Sequence, residues 1–191
     1  MAIDIKNIIA EALLRLCETT HLDSITIKQI LNESHVSKQT FYNHFIDKND
    51  LIQYIYTHKI IVGFQDGETD FDFYTQLLKS FYNMKKYHLF MKQACLRNDQ
   101  NCLKDYMFKH CKEFDLKWHQ TLYGKEEIPE ALRFATEYHA NASSSMVLSW
   151  ILSDMSSSCE EMADIITQLR SVGMEKLFEN GKTQGNPYQR H

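Results

Sequence analysis

Two prolines and six glycines among 191 residues leave little to interrupt a helix, and no stretch alternates polar and apolar side chains long enough to build a sheet. The same scarcity excludes collagen-like and low-complexity classes. No apolar run approaches the ~20 residues that a membrane-spanning helix needs. The opening residues Met1 to Lys6 also lack the basic start and small-residue cleavage site of a secretory leader. A cytoplasmic protein with no membrane partner is therefore expected. The five cysteines, Cys17, Cys95, Cys102, Cys111 and Cys159, are odd in number and unpaired in spacing, which argues for free, mostly buried thiols in a reducing compartment. Positive charge is short as well: 21 Lys and Arg face 25 Asp and Glu, a formal charge of −4. The molecule as a whole does not attract polyanions, so any nucleic acid must be held by local placement of charge.

Enzyme signatures are missing too. The chain has no Gly-rich phosphate loop, no nucleophile elbow and no His-Glu-x-x-His. His88, His110, His119 and His139 form no convincing site, and the intervals among Cys95, Cys102, His110 and Cys111 do not match the short ligand spacings of structural zinc. No catalytic residue, metal or cofactor is assigned, and a non-enzyme is expected.

Apolar residues recur at three-and-four spacing almost throughout, so the fold class is all-α. Breaks are expected at His21 to Ser24, Ser34 to Val36, Ile46, Gly63 to Asp70, Arg97 to Asn101, Tyr123 to Pro129 and Ser153 to Ser158. These divide the chain into a small head (1–48), a connecting helix (49–62), a larger helical regulatory and dimerisation region (63–180) and a polar tail (181–191).

Start signals in the head are unusually consistent. Each pairs a capping residue with an apolar residue just before it and another four residues after it: Ile3, Asp4, Ile8; Ile25, Thr26, Ile30; Val36, Ser37, Phe41; Ile46, Asp47, Leu51. Gln29 stands where it completes a capping box with Thr26. Helices should start near 4, 26, 37 and 47. Ile5, Ile8, Ile9, Ala12, Leu13 and Leu16 of the first helix share a small core with Ile27, Ile30 and Leu31 of the second. Only eleven residues separate the Thr26 and Ser37 starts, room for about two turns of helix and a tight turn, hence a helix-turn-helix.

At ~100° per residue, Phe41 and Phe45 hold the third helix to the core, and Gln39 and Asn43 point away. Lys38 and Tyr42 lie on one flank, Thr40 and His44 on the other. Amides at the tip suit adenine edges in the major groove, so Lys38, Gln39, Thr40 and Asn43 are the candidate base readers. Thr26, Lys28, Ser37, Tyr42 and His44 are candidate phosphate contacts, helped by the helix N-termini at Thr26 and Ser37.

The runs Thr26-Ile-Lys-Gln-Ile, Val36-Ser-Lys-Gln-Thr-Phe-Tyr-Asn-His-Phe45 and Asp47-Lys-Asn-Asp-Leu51 resemble the N-terminal signature of TetR-family regulators. The match covers about residues 5 to 55. It implies that the third helix enters the major groove, that Thr26, Tyr42, His44 and Lys48 hold phosphates, and that the protein, as a homodimer, regulates transcription from a palindromic double-stranded DNA operator, by the family's usual habit as a repressor. Two reading helices ~34 Å apart would meet successive major grooves. One departure is His35, where the family's turn usually carries Gly.

Tyr138-His-Ala-Asn-Ala, Trp150-Ile-Leu-Ser-Asp-Met155 and Ser158-Cys-Glu-Glu-Met-Ala163 are similar to the closing helices of a subgroup that includes regulators of dihydroxyacetone-kinase operons. That resemblance adds a protein co-regulator as an alternative to a small-molecule effector, and with it the alternative of a co-activator or interaction module. Pro129 to Leu152 and Cys159 to Phe178 would pair with their copies in a dimer, with Ala140, Ala142, Ser143, Ser144 and Ser145 allowing close approach or serving packing inside one subunit. Among the many rings between 71 and 122, Phe81, Tyr82, Tyr106, Phe114 and Trp118 are candidates to line an effector pocket, or equally to fill a core.

Overall fold

A computed structural model describes residues 4–64, 72–125, 127–178, 181 and 186–188. Every regular element among them is helical. Helix α1 (Ile5–Cys17) starts at Asp4, whose carboxylate accepts the Asn7 N–H at 3.1 Å. A single 3-10 turn (Leu22–Ser24) leads to α2 (Ile27–Ser34), and α3 (Lys38–His44) and α4 (Lys48–Ile55) follow. The expected caps at Thr26, Ser37 and Asp47 are all in place, with the Thr26–Gln29 box closed. At α4 the expected apolar staple does not form: Ile46 is 81% exposed. The chain entry is fixed by polar groups instead, because Asp47 accepts the Asp50 N–H at 2.8 Å and the Asp50 carboxylate accepts the Ile46 N–H at 2.9 Å.

His35 closes α2 at φ 55°, ψ 29°. The tight turn is thus kept in the left-handed region without glycine, a conformation that costs roughly 1–2 kcal/mol for a residue bearing a Cβ. Helix α1 buries more than the single expected stripe. Ala10, Leu14 and Cys17 are buried beside Ile9, Ala12 and Leu13, because α1 packs on α2 and α4 on one side and on α6 (His88–Leu96) on the other.

Helix α4 runs on through one wider turn with π geometry over Tyr56–Ile60. The larger region consists of α5 (Phe73–Lys86), α6, α7 (Leu103–Tyr123), α8 (Glu130–Leu152), α9 (Cys159–Ser171) and α10 (Met174–Phe178). Gly124, at φ 69°, ends α7 in a left-handed cap. Two breaks went unread in the sequence, at Tyr87 between α5 and α6 and at Val172–Gly173, which divides the segment expected as one helix from Cys159 to Phe178. The expected break at Gly63 to Asp70 lies largely outside the described residues.

Helix α7 packs along α8, and α5 lies against α9. One hydrophobic cluster extends from Ile9 and Phe41 in the head through Ile55 and Ile60 to Trp118, Trp150 and Phe178. Head and larger region are therefore joined by packed side chains as well as by chain. The segment read as a polar tail carries Tyr188 into that cluster, where it is 4% exposed.

Candidate nucleic-acid interface and regulatory cavity

Phe41 and Phe45 are buried and hold the back of α3, their rings 5.7 Å apart. The opposite face carries Lys38, Gln39, Tyr42 and Asn43 into solvent, while Thr40 and His44 are half-buried at its edge. Lys38 Nζ lies 6.0 Å from the Tyr42 ring, so these two side chains share one flank. The Ser37 and Thr40 hydroxyls are 2.8 Å apart, and Ser37 Oγ accepts the Thr40 N–H at 3.0 Å. Thr26 donates its hydroxyl to Gln29 Oε1 at 2.8 Å. Thr26, Lys28 and Ser37 are exposed.

Lys48 has other business. Its ammonium donates to the Leu22 and Ile25 carbonyls, both at 2.9 Å. Burial, then the nearby Arg97 charge, lowers its pKa. The ammonium thus ties the chain between α1 and α2 to the start of α4, and what this position has left for a phosphate is mainly the backbone N–H side of the α4 N-terminus.

A second polar group links α4 to the loop between α6 and α7. Asn49 Nδ2 donates to Asp99 Oδ2 (2.7 Å) and to the Gln100 carbonyl (3.0 Å), and Gln53 Nε2 donates to the Asn101 carbonyl (2.8 Å). Arg97 bridges Asp99 and Asp23, so the same loop also grips the 3-10 turn of the head.

Within the larger region a cavity of about 70 Å³ lies among α5, α7, α8, α9 and the wide turn after α4. Of the five rings expected to line a pocket, only Phe114 does so. Phe81 packs on Trp150 at 5.1 Å, Trp118 is buried against Phe73 and Tyr188, and Tyr82 stands on the surface. Tyr106 faces Thr57, its hydroxyl 3.0 Å from Thr57 Oγ1. Phe81, Trp118 and Tyr106 meet neighbouring helices because each falls on an interhelical stripe, which aromatic content alone does not reveal.

The cavity wall contains a buried ion pair that the sequence reading missed. Arg170 Nη1 lies 2.7 Å from Asp115 Oδ2, and each side chain is 2% exposed. Burial opposes charge on both partners. At Asp115 it outweighs the pull of Arg170 and raises the carboxyl. At Arg170 burial is the largest single influence, but Asp115, Tyr188 and Cys111 together outweigh it and hold the guanidinium above its ordinary value. The 2.7 Å separation is that of a charged pair. Arg170 also donates to Ser143 Oγ (2.8 Å), Cys111 Sγ (3.2 Å) and Tyr188 Oη (3.3 Å). A signal was available: Met162, Ile166 and Arg170 share one side of α9 with Ala163 and Thr167, as Asp115 does with Trp118 and Leu122 on α7, and a charge on such a stripe announces a buried pair.

Tyr188 extends this network. The Thr136 hydroxyl donates to the Leu132 carbonyl at 2.7 Å, so it accepts from His119 Nδ1–H at 2.8 Å. His119 Nε2 is then an acceptor, and the Tyr188 hydroxyl donates to it at 2.9 Å. The partners fix the tautomer. Burial, then the Arg170 and His139 charges, lowers the His119 pKa from 6.5 to about 3. Burial likewise pushes the Cys111 thiol up to about 11, which keeps it protonated and a donor.

Apolar side chains are left exposed on both α8 and α9: Phe134 and Tyr138 on α8, Ile165 and Leu169 on α9, and Val172 just beyond its end. Ala140, Ser143 and Ser144, expected as possible close-approach residues between subunits, are buried within the subunit, whereas Ala142 and Ser145 are exposed. Among the described residues no group of three or more His, Cys, Asp or Glu is placed to hold a metal ion, and no helix is long and apolar enough to cross a membrane.

Comparison with known proteins agrees with the all-helical architecture. No curated protein matches the chain. A solved structure, the dihydroxyacetone kinase operon activator DhaS, superposes with a TM-score of 0.68 at 18% identity, over 88% of this chain and 95% of its own. At that identity the likeness is one of fold. A TetR-type family model described as a transcriptional regulator C-terminal region matches residues 72–171, over half of the chain. The chain therefore belongs to the TetR family of transcriptional regulators.

Proposed function

We propose that this regulator binds a palindromic double-stranded DNA operator as a homodimer through the exposed face of α3, and that its larger region answers an effector. The observation that carries the reading is the division of α3 itself: two buried phenylalanines fix its back, and Gln39 and Asn43, both exposed, present amides that can pair bidentately with base edges. Lys38 and Thr40 flank them as base readers. Thr26, Lys28, Ser37, Tyr42 and His44 are the phosphate contacts, joined by the N-terminus of α4 at Lys48. Residues 1–48 act as the head, 49–62 as the connection and 63–180 as the regulatory and dimerisation region. The exposed apolar side chains of α8 and α9 form the surface where a second copy docks, since an apolar patch of this kind on two long helices marks an interaction site.

Transmission from effector to DNA runs through α4. Tyr56, in its wide turn, lines the cavity, and Asn49 and Gln53 in its first turns are held by the loop that opens α7. A shift of α7 or Tyr56 thus moves the helix on which the head is carried.

Selection from a random DNA pool tests the reading: recovered fragments should share a palindrome whose half-sites are about one helical turn apart. Gln39→Ala or Asn43→Ala should relax preference at particular bases by ~1–3 kcal/mol, and Tyr42→Ala should weaken binding to all sequences and flatten its salt dependence. Tyr42 is preferred to Lys48 because a Lys48 variant also loses two bonds inside the head. If none of the three variants affects DNA binding, the interface is elsewhere. A reporter downstream of the recovered operator then reads repression against activation.

A further inference from the structure

The chemistry of the cavity wall restricts what the regulatory region can recognise, and this inference rests on the effector reading above. The wall is mostly apolar, with Phe73, Phe114, Met84 and Met107 in it, and it carries Asp115, Arg170, His110, Cys111 and Tyr56 as its charged or titratable groups. The guanidinium is already engaged. Three of its N–H donors go to Tyr188, Ser143 and Cys111, Nη1 also stands 2.7 Å from Asp115 Oδ2, and Cζ lies 5.0 Å from the centre of the Phe73 ring. An anion entering the cavity would find a cation neutralised at 2.7 Å, with most of its donors already engaged. A cation would have to share a carboxylate that already balances Arg170. In either case a buried net charge would remain, at a desolvation cost the site does not offset.

Acceptors are still free. Both bonds made to Asp115, from Arg170 and from Cys111, fall on Oδ2. Its Oδ1 has no hydrogen-bond partner among the described residues, and neither has the half-buried His110 ring, which packs against the rings of Tyr56 and Tyr106. A cavity of about 70 Å³ is about half the cavity of about 150 Å³ that holds benzene in an engineered protein core, so nothing larger than one ring can enter, and a single ring enters only if the wall yields. The two flexible methionines provide that give.

We infer that the cavity takes an uncharged molecule of at most one ring, packed against Phe73 and Phe114, that donates a hydrogen bond to Asp115. Phenol is the simplest probe of that class, with benzoate and benzylammonium as charged counterparts and toluene as the counterpart without a donor. Calorimetric titration of the full chain at neutral pH should show saturable phenol binding, with each of the other three at least about tenfold weaker, a factor that one hydrogen bond supplies. Two variants fill the space: Val147→Phe from α8 and Ser80→Leu from α5. Ser80 gives up only a bond to Gln76 in its own helix, 2.9 Å long, so its variant keeps the test sound if the first does not fold. Both should lose phenol binding.

Absence of phenol binding overturns the inference. So does equal affinity for a charged counterpart, or undiminished phenol binding in the filled variants. Operator affinity measured on the same samples separates this from the larger reading. Phenol that binds without altering operator affinity supports the site and overturns the effector response. Intact operator binding with no phenol binding overturns the site alone.

Discussion

His119 offers the sharpest test of the interior, because its surroundings permit only one charge state. The ring is fully buried between an acceptor at Nδ1, Thr136 Oγ1, and a donor at Nε2, the Tyr188 hydroxyl. Protonating Nε2 would set a proton against the Tyr188 proton, with the Arg170 charge close behind. The folded pKa accordingly falls from 6.5 to about 3. The sign follows from linkage: the unfolded chain takes up a proton below 6.5 and the folded chain does not, so stability is fully present above 6.5 and drains away as pH falls toward 3. At about pH 5 the loss from this ring alone is roughly 2 kcal/mol, and by about pH 3 it approaches 4–5 kcal/mol. Urea unfolding at fixed protein concentration, at about pH 7.5 and about pH 5, measures it. His110 and His139, lowered mainly by burial, push in the same direction, so the comparison must be with His119→Gln, which keeps a donor and an acceptor without a titrating ring. The variant should start out less stable near pH 7.5 but lose roughly 2 kcal/mol less than wild type on going to about pH 5. Parallel losses in the two proteins would refute the buried neutral histidine.

Two further outcomes are expected. Tyr188→Phe removes the donor to His119 and an acceptor of Arg170 while keeping the ring against Phe73 and Trp118, and should cost about 1–3 kcal/mol in urea unfolding; unchanged stability would mean the tail residue is not seated there in solution. Leu169→Asp, a charge placed on the uncovered α9 face, should convert a dimer to monomer in sedimentation experiments while leaving the helical signal intact, and a persistent dimer would place the interface elsewhere.

The head was legible almost residue by residue because its information is local. A capping side chain, the N–H three residues on and the apolar pair around them all lie within one turn of sequence, which is why Asp4, Thr26, Ser37 and Asp47 could be read directly. The failure at Ile46 has the same scale: whether an apolar residue before a cap is buried depends on a surface elsewhere in the fold, and at α4 a second carboxylate does the fixing. The cavity was not legible because its wall is drawn from Tyr56 to Arg170, and which side of each helix faces inward is decided by partners far away in sequence. Of the rings named from the sequence, Phe114 lines this cavity, whereas Phe81, Trp118 and Tyr106 pack between helices and Tyr82 stands on the surface. The more telling sign was polar, a charge on an apolar helical stripe, at Asp115 and at Arg170.

The same polar economy supports the proposed role of α4 as strut and relay. A helix joined to its neighbours only by apolar contacts can slide at small cost, since those contacts are non-directional. The start of α4 is held instead by directional bonds: Lys48 to Leu22 and Ile25 on the head side, Asn49 and Gln53 to residues 99–101 on the other. Arg97 reaches from that loop to Asp23, so the head is gripped twice by one loop, which opens directly into α7. Displacing α7 therefore cannot leave the head where it was without breaking several bonds at once. Two alternative arrangements, each fully bonded, would be favoured over a continuum of half-bonded ones, and that is the property a switch between DNA-binding and DNA-releasing forms requires.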